Sequence, residues 1–467
     1  MRVYVHLSCT HQVRYVMYND TKLFPNRKGF AMQWIKAMQI KRESHAAHLF
    51  LLHLATKDMV ITHDQFIELP DYLGIHSPTG DAYFVTYYNR ARGIYFIDDT
   101  KEEDFLTFLG ALHPEKSHSQ QTVPDAVANF LHKRREVDYM LMLFSEMLQI
   151  GWSDERRKVK QAIDTVFKEQ VGEWRGKPFF NAIILYSESI APPDAMHGQP
   201  YDRTAIVTFL SWAVDSKIAH AKNTVALVAE HLGVVAPQLH SETNAVMPIT
   251  IPFLTYTDRM ETIHTLVHEL PYANLGMASD DIANLSAGLS RRALAGFMRE
   301  KIYLCTTLDP DAIFQKKKEH LEDQAPGLLE ITRSAWGLEA IGALEEKKQY
   351  IKGVVRAMKE GNKLAVPQGC LLLGGFGTGK TVFVQALAHM IGVPIIKLGN
   401  IRDKFVGESE RRLSYLCELL KSYAPVVIFI DELDQWFQKR GTVYHGDSGV
   451  SARLTAKFMD IMSDTDL

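Results

Sequence analysis

The residues best equipped for chemistry are Gly374-Gly375-Phe376-Gly377-Thr378-Gly379-Lys380-Thr381, which follow the apolar run Cys370–Leu373 and precede a helical pattern from Val382 to Ile391. The spacing G-x-x-x-x-G-K-T suits a polyphosphate: glycines let the backbone wrap closely, so that successive N–H groups point at the anion. The helix opening at Val382 adds its positive end. Lys380 is placed to contact the β and γ phosphates, and the Thr381 hydroxyl suits Mg²⁺, a hard ion that takes few protein oxygens. Further on, the buried-strand run Val426–Ile430 ends in Asp431-Glu432, 51 residues after Lys380. At a strand tip, Asp431 can complete the Mg²⁺ shell while Glu432 orients or deprotonates an attacking water. An apolar run ending in two acids is weak alone, but strong beside the glycine loop.

These two motifs, with Lys404-Phe405-Val406-Gly407-Glu408-Ser409-Glu410 between them, resemble an AAA+ ATPase module. The resemblance implies ATP and Mg²⁺ as cofactors, Lys380 and Glu432 as catalytic residues, and residues 374–382 as the nucleotide cradle. It implies Thr381 and Asp431 as metal ligands. Lys404, Phe405, Val406 and Gly407 correspond to a pore loop whose aromatic grips an extended polypeptide; the plainer alternative is that Phe405 packs on a neighbouring helix. Gly337–Leu344 resembles the family's entry segment, beside the adenine. The expected fold is α/β, with P-loop NTPase three-layer parallel sheets and a small N-terminal α/β domain.

The elements that must position these residues divide, on sequence, into four parts. Residues 1–92 read as an N-terminal α/β domain of unassigned role. Residues 93–305 read as a second AAA+-like module with its chemistry removed and a helical lid: Ile94–Ile97 is the expected first strand, with no G-K-T after it. Ala182–Tyr186 ends in Ser187-Glu188, where an intact module has an aspartate. Residues 306–336 read as a linker or connecting helix, charged at Lys316-Lys317-Lys318-Glu319, and 337–467 as the ATPase large subdomain. A degenerate module ahead of an intact one resembles the tandem AAA+ proteins of cyanobacteria and plastids.

Only 35 residues follow Glu432, room for a loop and a helix, so the resemblance implies a module truncated before sensor 1, its arginine finger and second lid. Hydrolysis by this chain alone is therefore open. Composition narrows the rest. Lys plus Arg total 52 against 55 Asp plus Glu, a net charge of −3, which supplies no global field for nucleic acid or membrane. Hydrophobic residues at 46% and charged residues at 23% suit an ordinary globular protein. Four scattered cysteines without a C-x-x-C pair give neither a disulfide framework nor a zinc site, and no apolar run is long enough to span a bilayer; a cytoplasmic location follows as an expectation. The implied function is ATP hydrolysis that remodels or threads a protein substrate through a homo-oligomeric ring. The competing reading is a nucleotide-gated scaffold with little or no hydrolysis, and a nucleic-acid motor lacks the basic, aromatic-interleaved stripe it would need.

Overall fold

The computed structural model describes residues 2–7, 13–18, 33–76, 78–113, 125–151, 154, 156–167, 177–193, 200–241, 245–270, 275–359, 367, 369–375, 377–398 and 410–430. The chain divides into two units, one of residues 20–252 and one of residues 1–19 with 253–467. Strands β1 (Arg2–Leu7) and β2 (Val13–Tyr18) form an antiparallel hairpin.

In the first unit, β3 (Leu49–Leu54) starts a central sheet, and the small hairpin of β4 (Met59–Thr62) and β5 (Gln65–Glu68) stands apart from it. The sheet continues with β6 (Phe84–Asn89), β7 (Gly93–Tyr95), β8 (Phe180–Leu185), β9 (Val225–Val228) and β10 (Met247–Ile251), in spatial order β10-β3-β9-β8-β6-β7. All pairings are parallel except β6 with β7. Every residue of β8 and β9 is buried, as expected of parallel strands covered on both faces.

Alternation along each strand builds two cores. Leu49, Leu51, Phe84, Ala182, Ile184, Val225 and Leu227 face one core with Phe105, Phe144 and Phe209 of the crossover helices. Phe50, Leu52, Tyr87, Ile183, Leu185, Ala226 and Val228 face the other, with Trp34, Met38 and Tyr72. The period of two in the strands thus yields three layers, which agrees with the expected α/β class.

Two buried asparagines fix where β8 and β9 begin. Asn223 Oδ1 accepts from Phe179 N (2.9 Å) and Phe180 N (3.1 Å), and its amide donates to the carbonyls of Leu148 (2.7 Å) and Ile150 (2.8 Å). Asn181 accepts from Thr224 N (2.7 Å) and donates to Pro78 O (3.1 Å) and Thr79 O (2.9 Å). Both side chains are fully buried and use donors and acceptors together, the condition under which buried amides stabilise rather than cost.

This architecture corrects the expected boundary at 92/93. Strands on both sides of it, β3 and β6 before and β8 to β10 after, hydrogen-bond into one sheet, so residues 1–92 are not a separate domain. Ile94 is not in the first parallel strand either: it lies in β7, a three-residue antiparallel edge reached from β6 through a tight turn, with Gly93 at φ +87°. The apolar run Ile94–Ile97 misled because burial against Phe84 and Phe105 needs the same residue types as a central strand.

The second unit holds a three-stranded sheet of β11 (Leu329–Thr332), β12 (Ile395–Leu398) and β13 (Val427–Phe429). β12 and β13 run parallel and β11 antiparallel on the other side of β12, as β7 flanks β6 in the first unit. Its core joins Leu329, Ile331, Ile396 and Leu398 to Leu416, Leu419, Leu420 and Tyr423 of helix Glu410–Ser422 and its end, and to Leu321 of helix Pro310–Gln324. The expected linker at 306–336 is therefore part of this fold. Ile313, Lys317 and Leu321 share one buried helix face, and the lysine in that stripe, within a run of charges, concealed it.

Helices Tyr256–Glu269, Ser279–Leu285 and Arg291–Tyr303 precede this region. The first opens with a Thr255/Asp258 capping box. Buried Arg291 bonds Thr262 Oγ1 (3.0 Å) and Glu261 (3.3 Å).

Candidate nucleotide site

Helix Lys380–Ile391 begins directly after Gly379, with no side chain capping its first turn. Gly377 (φ +74°) and Gly379 (φ +81°) both adopt the left-handed conformation that side chains resist. The loop therefore requires glycine at these two points, and it delivers the helix's unpaired N–H groups to its concave side. Thr378 Oγ1 donates to Gly375 O (2.9 Å), which tightens the turn. The Lys380 ammonium folds back onto the carbonyls of Gly374 (3.0 Å) and Gly375 (2.8 Å). Those are contacts an anionic oxygen can replace, because a charge-assisted bond to phosphate is stronger than one to a neutral carbonyl. Gly374, Gly375, Gly377, Thr378, Gly379, Lys380, Thr381 and Val382 thus stand together on one loop and the first helical turn. The donor set fits a polyphosphate, and the Thr381 hydroxyl lies on the same turn for a metal ion.

Phe376, Asp431, Glu432 and the segment Lys404, Phe405, Val406, Gly407 lie outside the described residues. β13 ends at Phe429, two residues before Asp431.

One expected element differs. Residues 369–373 form no strand, and Leu371 and Leu373 are 64% and 84% exposed. A strand exists through its ladder, and among the described residues β11, β12 and β13 are the only members of this sheet, so the apolar run has no neighbour to pair with.

Sequence spacing gave no hint of His389, on the last turn of the loop's helix. Its Nδ1–H donates to Ser334 O at 3.0 Å, holding the segment around Gly337 against the helix; a Cβ on Gly337 would come within 3.1 Å of the His389 ring. The two residues lie 55 positions apart, so only the fold brings them together.

The first unit has a comparable crevice without this chemistry. The chain leaves β3 toward β6 and leaves β9 toward β10, in opposite directions across the sheet, so the carboxyl ends of β3 and β9 form the switch point where ligands of parallel sheets bind. Here the chain occupies its own donors. Leu54 N donates to Glu230 O (2.9 Å) and Ala55 N to Ile251 O (3.1 Å). Thr56 Oγ1 donates to Ala229 O (3.0 Å), and the Lys57 ammonium pairs with the Glu230 carboxylate at 2.9 Å. After β8, buried Ser187 donates to Ile184 O (3.0 Å). Burial raises the Glu188 carboxyl above its ordinary range, with the Glu230 charge adding to the effect. No glycine occurs in residues 54–58, so no nest like that of 374–379 forms.

Comparison with known proteins agrees with both units. Residues 31–252 match the family described as AAA+ chaperone, N-terminal Rossmann-like domain. Residues 370–467 match the ATPase family associated with various cellular activities. Among curated relatives, the chain is 25% identical over 264 residues to the AAA domain-containing protein ycf46 of Guillardia theta, covering 54% of this chain and 51% of the relative. It is 39% identical over 132 residues to protein SAV of Sulfolobus acidocaldarius, covering 27% of this chain and 16% of the relative. It is also 39% identical over 106 residues to the ATP-dependent zinc metalloprotease FtsH of Slackia heliotrinireducens, covering 22% and 13%. The chain thus spans about half the length of the ycf46 relative and less of the others. Along the chain, a segment similar to the AAA+ chaperone N-terminal Rossmann-like domain is thus followed by one similar to the AAA ATPase family.

Proposed function

We propose that this chain binds ATP with Mg²⁺ on residues 374–382 and that it is part of an ATPase that remodels protein substrates. The observation that carries the reading is the pair of left-handed glycines ahead of an uncapped helix, with Lys380 folded over the loop they form. In this reading the backbone N–H groups of 377–382 hold the β phosphate, and Lys380 neutralises the β and γ oxygens. Thr381 and Asp431 would hold Mg²⁺, which when bound would supply positive charge against the phosphate oxygens. Glu432 positions the attacking water and takes its proton. Lys404, Phe405, Val406 and Gly407 serve as the grip on an extended polypeptide within a homo-oligomeric ring.

The first unit acts in this scheme as a module that binds no nucleotide, since its switch point is closed by its own hydrogen bonds and the Lys57–Glu230 pair. Among the described residues no helix is long and apolar enough to cross a membrane; a cytoplasmic location is part of the proposal. Titrating the chain with Mg-ATP tests the reading. Binding is expected in the native sequence, retained in Glu432→Gln and strongly weakened in Lys380→Ala. Equal affinity in the Lys380 variant would refute it.

A further inference from the structure

Residues 82–97 and 126–135 contain no acid but carry Arg90, Arg92, His132, Lys133, Arg134 and Arg135. The fold places these two segments side by side in the first unit. Arg90 and Arg92 lie in the turn between β6 and β7, where Arg92 N donates to Asn89 Oδ1 at 2.7 Å. Arg134 and Arg135 follow helix Asp125–Lys133 and lie against that turn. Ile94 N donates to Arg134 O (2.8 Å), the Tyr88 hydroxyl donates to Arg135 O (3.1 Å), and a Cβ on Gly93 would come within 2.9 Å of Arg135 Cγ. Because β6 runs parallel to β8, the turn stands at the carboxyl end of the sheet. Arg90 donates there to Ser189 O at 2.8 Å, just beyond β8.

Arg90, Arg92, Lys133 and Arg135 are exposed. Of the acids close to them in the chain or the fold, Glu102 is engaged by Arg134 at 3.2 Å, and Glu136 follows Arg135. Among the described residues Arg92, Lys133 and Arg135 form no ion pair. Like charges gathered in this way make a local positive potential in a chain whose net charge is −3, and a negative partner is drawn to it. The Arg92 guanidinium stands over the Tyr95 ring, 3.9 Å from its centroid, and Tyr87 stacks on Tyr95 at 5.3 Å. That fork is oriented before anything binds, and a planar fork meets a carboxylate through two parallel hydrogen bonds. The same stack disfavours single-stranded nucleic acid: Tyr95 is already engaged by Arg92 and Tyr87, so it offers no open ring to a base.

We propose that Arg90, Arg92, Lys133 and Arg135 form a docking surface for an extended acidic segment of a partner protein. The surface belongs to the first unit and does not depend on the nucleotide reading of residues 374–382. Exposed charges of this kind govern encounter and orientation more than tight affinity, so the surface recruits a partner rather than locking it.

The test is fluorescence anisotropy of a labelled Glu-Ser repeat peptide titrated with the 467-residue chain, native and with Lys380→Ala, since the glycine loop also attracts anions. A Gln-Ser repeat peptide and single-stranded oligothymidylate are compared under the same conditions. The Glu-Ser peptide is expected to bind both chains alike, with affinity falling as salt rises, and the Gln-Ser peptide is expected not to bind. Arg92→Gln and Arg135→Gln should each weaken binding by about two- to fivefold, the effect of one exposed charge pair, and together by about tenfold. Lys217→Gln, in the helix that precedes β9 and so at the amino end of the sheet, should leave binding unchanged. Absence of Glu-Ser binding, equal binding of the Gln-Ser peptide, or full affinity in the Arg92/Arg135 double variant would each overturn the proposal. Tighter binding of the oligonucleotide, lost in that double variant, would also overturn it and assign the surface to nucleic acid.

Discussion

Replacing Asn223 with alanine removes four hydrogen bonds at once. The Asn223 side chain is fully buried, and at 2.7–3.1 Å it serves two backbone N–H groups at the start of β8 and two carbonyls that end helix Val137–Leu148. Each buried group left without a partner costs about 1–3 kcal/mol, and all four are backbone groups that cannot rotate away. Even if half recover through water or local shifts, the loss is on the order of 2–6 kcal/mol, a large part of a typical domain stability of about 5–15 kcal/mol. Urea denaturation followed by tryptophan fluorescence measures it, because Trp212 lies in the same core. Asn223→Asp is a sharper probe: it keeps the acceptor but turns two donor contacts into repulsion with the Leu148 and Ile150 carbonyls, so it should be at least as damaging at pH 7 and partly recover in acid. A loss under about 1.5 kcal/mol for Asn223→Ala would show that these bonds do not fix the strand starts.

Three further outcomes are expected. The Lys317 ammonium, lowered from 10.5 to about 7, makes the unfolded chain bind more protons between those values, so stability should rise with pH from about 7 to about 10 and carry its full penalty below 7. At about 1.4 kcal/mol per pH unit the limit is on the order of 5 kcal/mol. In chloride buffer Lys317→Met should therefore stabilise the chain near pH 6.5 and flatten this dependence, as chemical denaturation across pH would register. Gly288→Ala should cost on the order of 2–5 kcal/mol, because φ is +91° and the new Cβ would fall 2.5 Å from the Tyr423 ring; calorimetric unfolding checks it. Lys57→Ala should change stability by less than about 1 kcal/mol, since the Lys57–Glu230 pair is exposed, and should create no ATP binding in a chain that carries Lys380→Ala.

The glycine loop was legible in the sequence because it is a local device: Gly377 and Gly379 need positive φ and Lys380 needs one helical start, all within eight residues. Strand β8 was legible for a similar reason, since Ala182–Leu185 is an unbroken apolar run. What escaped depended on partners distant in the chain. Residues 1–92 look self-sufficient until β3 is seen between β9 and β10, whose residues lie about 170 to 200 positions away. The buried face of the helix at 310–324 hid behind Lys316-Lys317-Lys318, since periodicity counts charge as exposure and Lys317 is buried. Cys370–Leu373 shows the converse: apolar composition alone makes no strand where no ladder meets it. His389 was unreadable, as nothing local marks a histidine that reaches a carbonyl 55 residues earlier.

Calorimetric titration of Mg-ATP into the 467-residue chain and its Lys380→Ala variant tests the central claim most directly. Loss of the lysine's charge-assisted contacts, at about 2–3 kcal/mol, predicts saturable one-site binding that weakens by about 30- to 150-fold in the variant. Absence of heat in the native chain, or indistinguishable affinities in the two, would contradict the assignment of residues 374–382 as the nucleotide cradle.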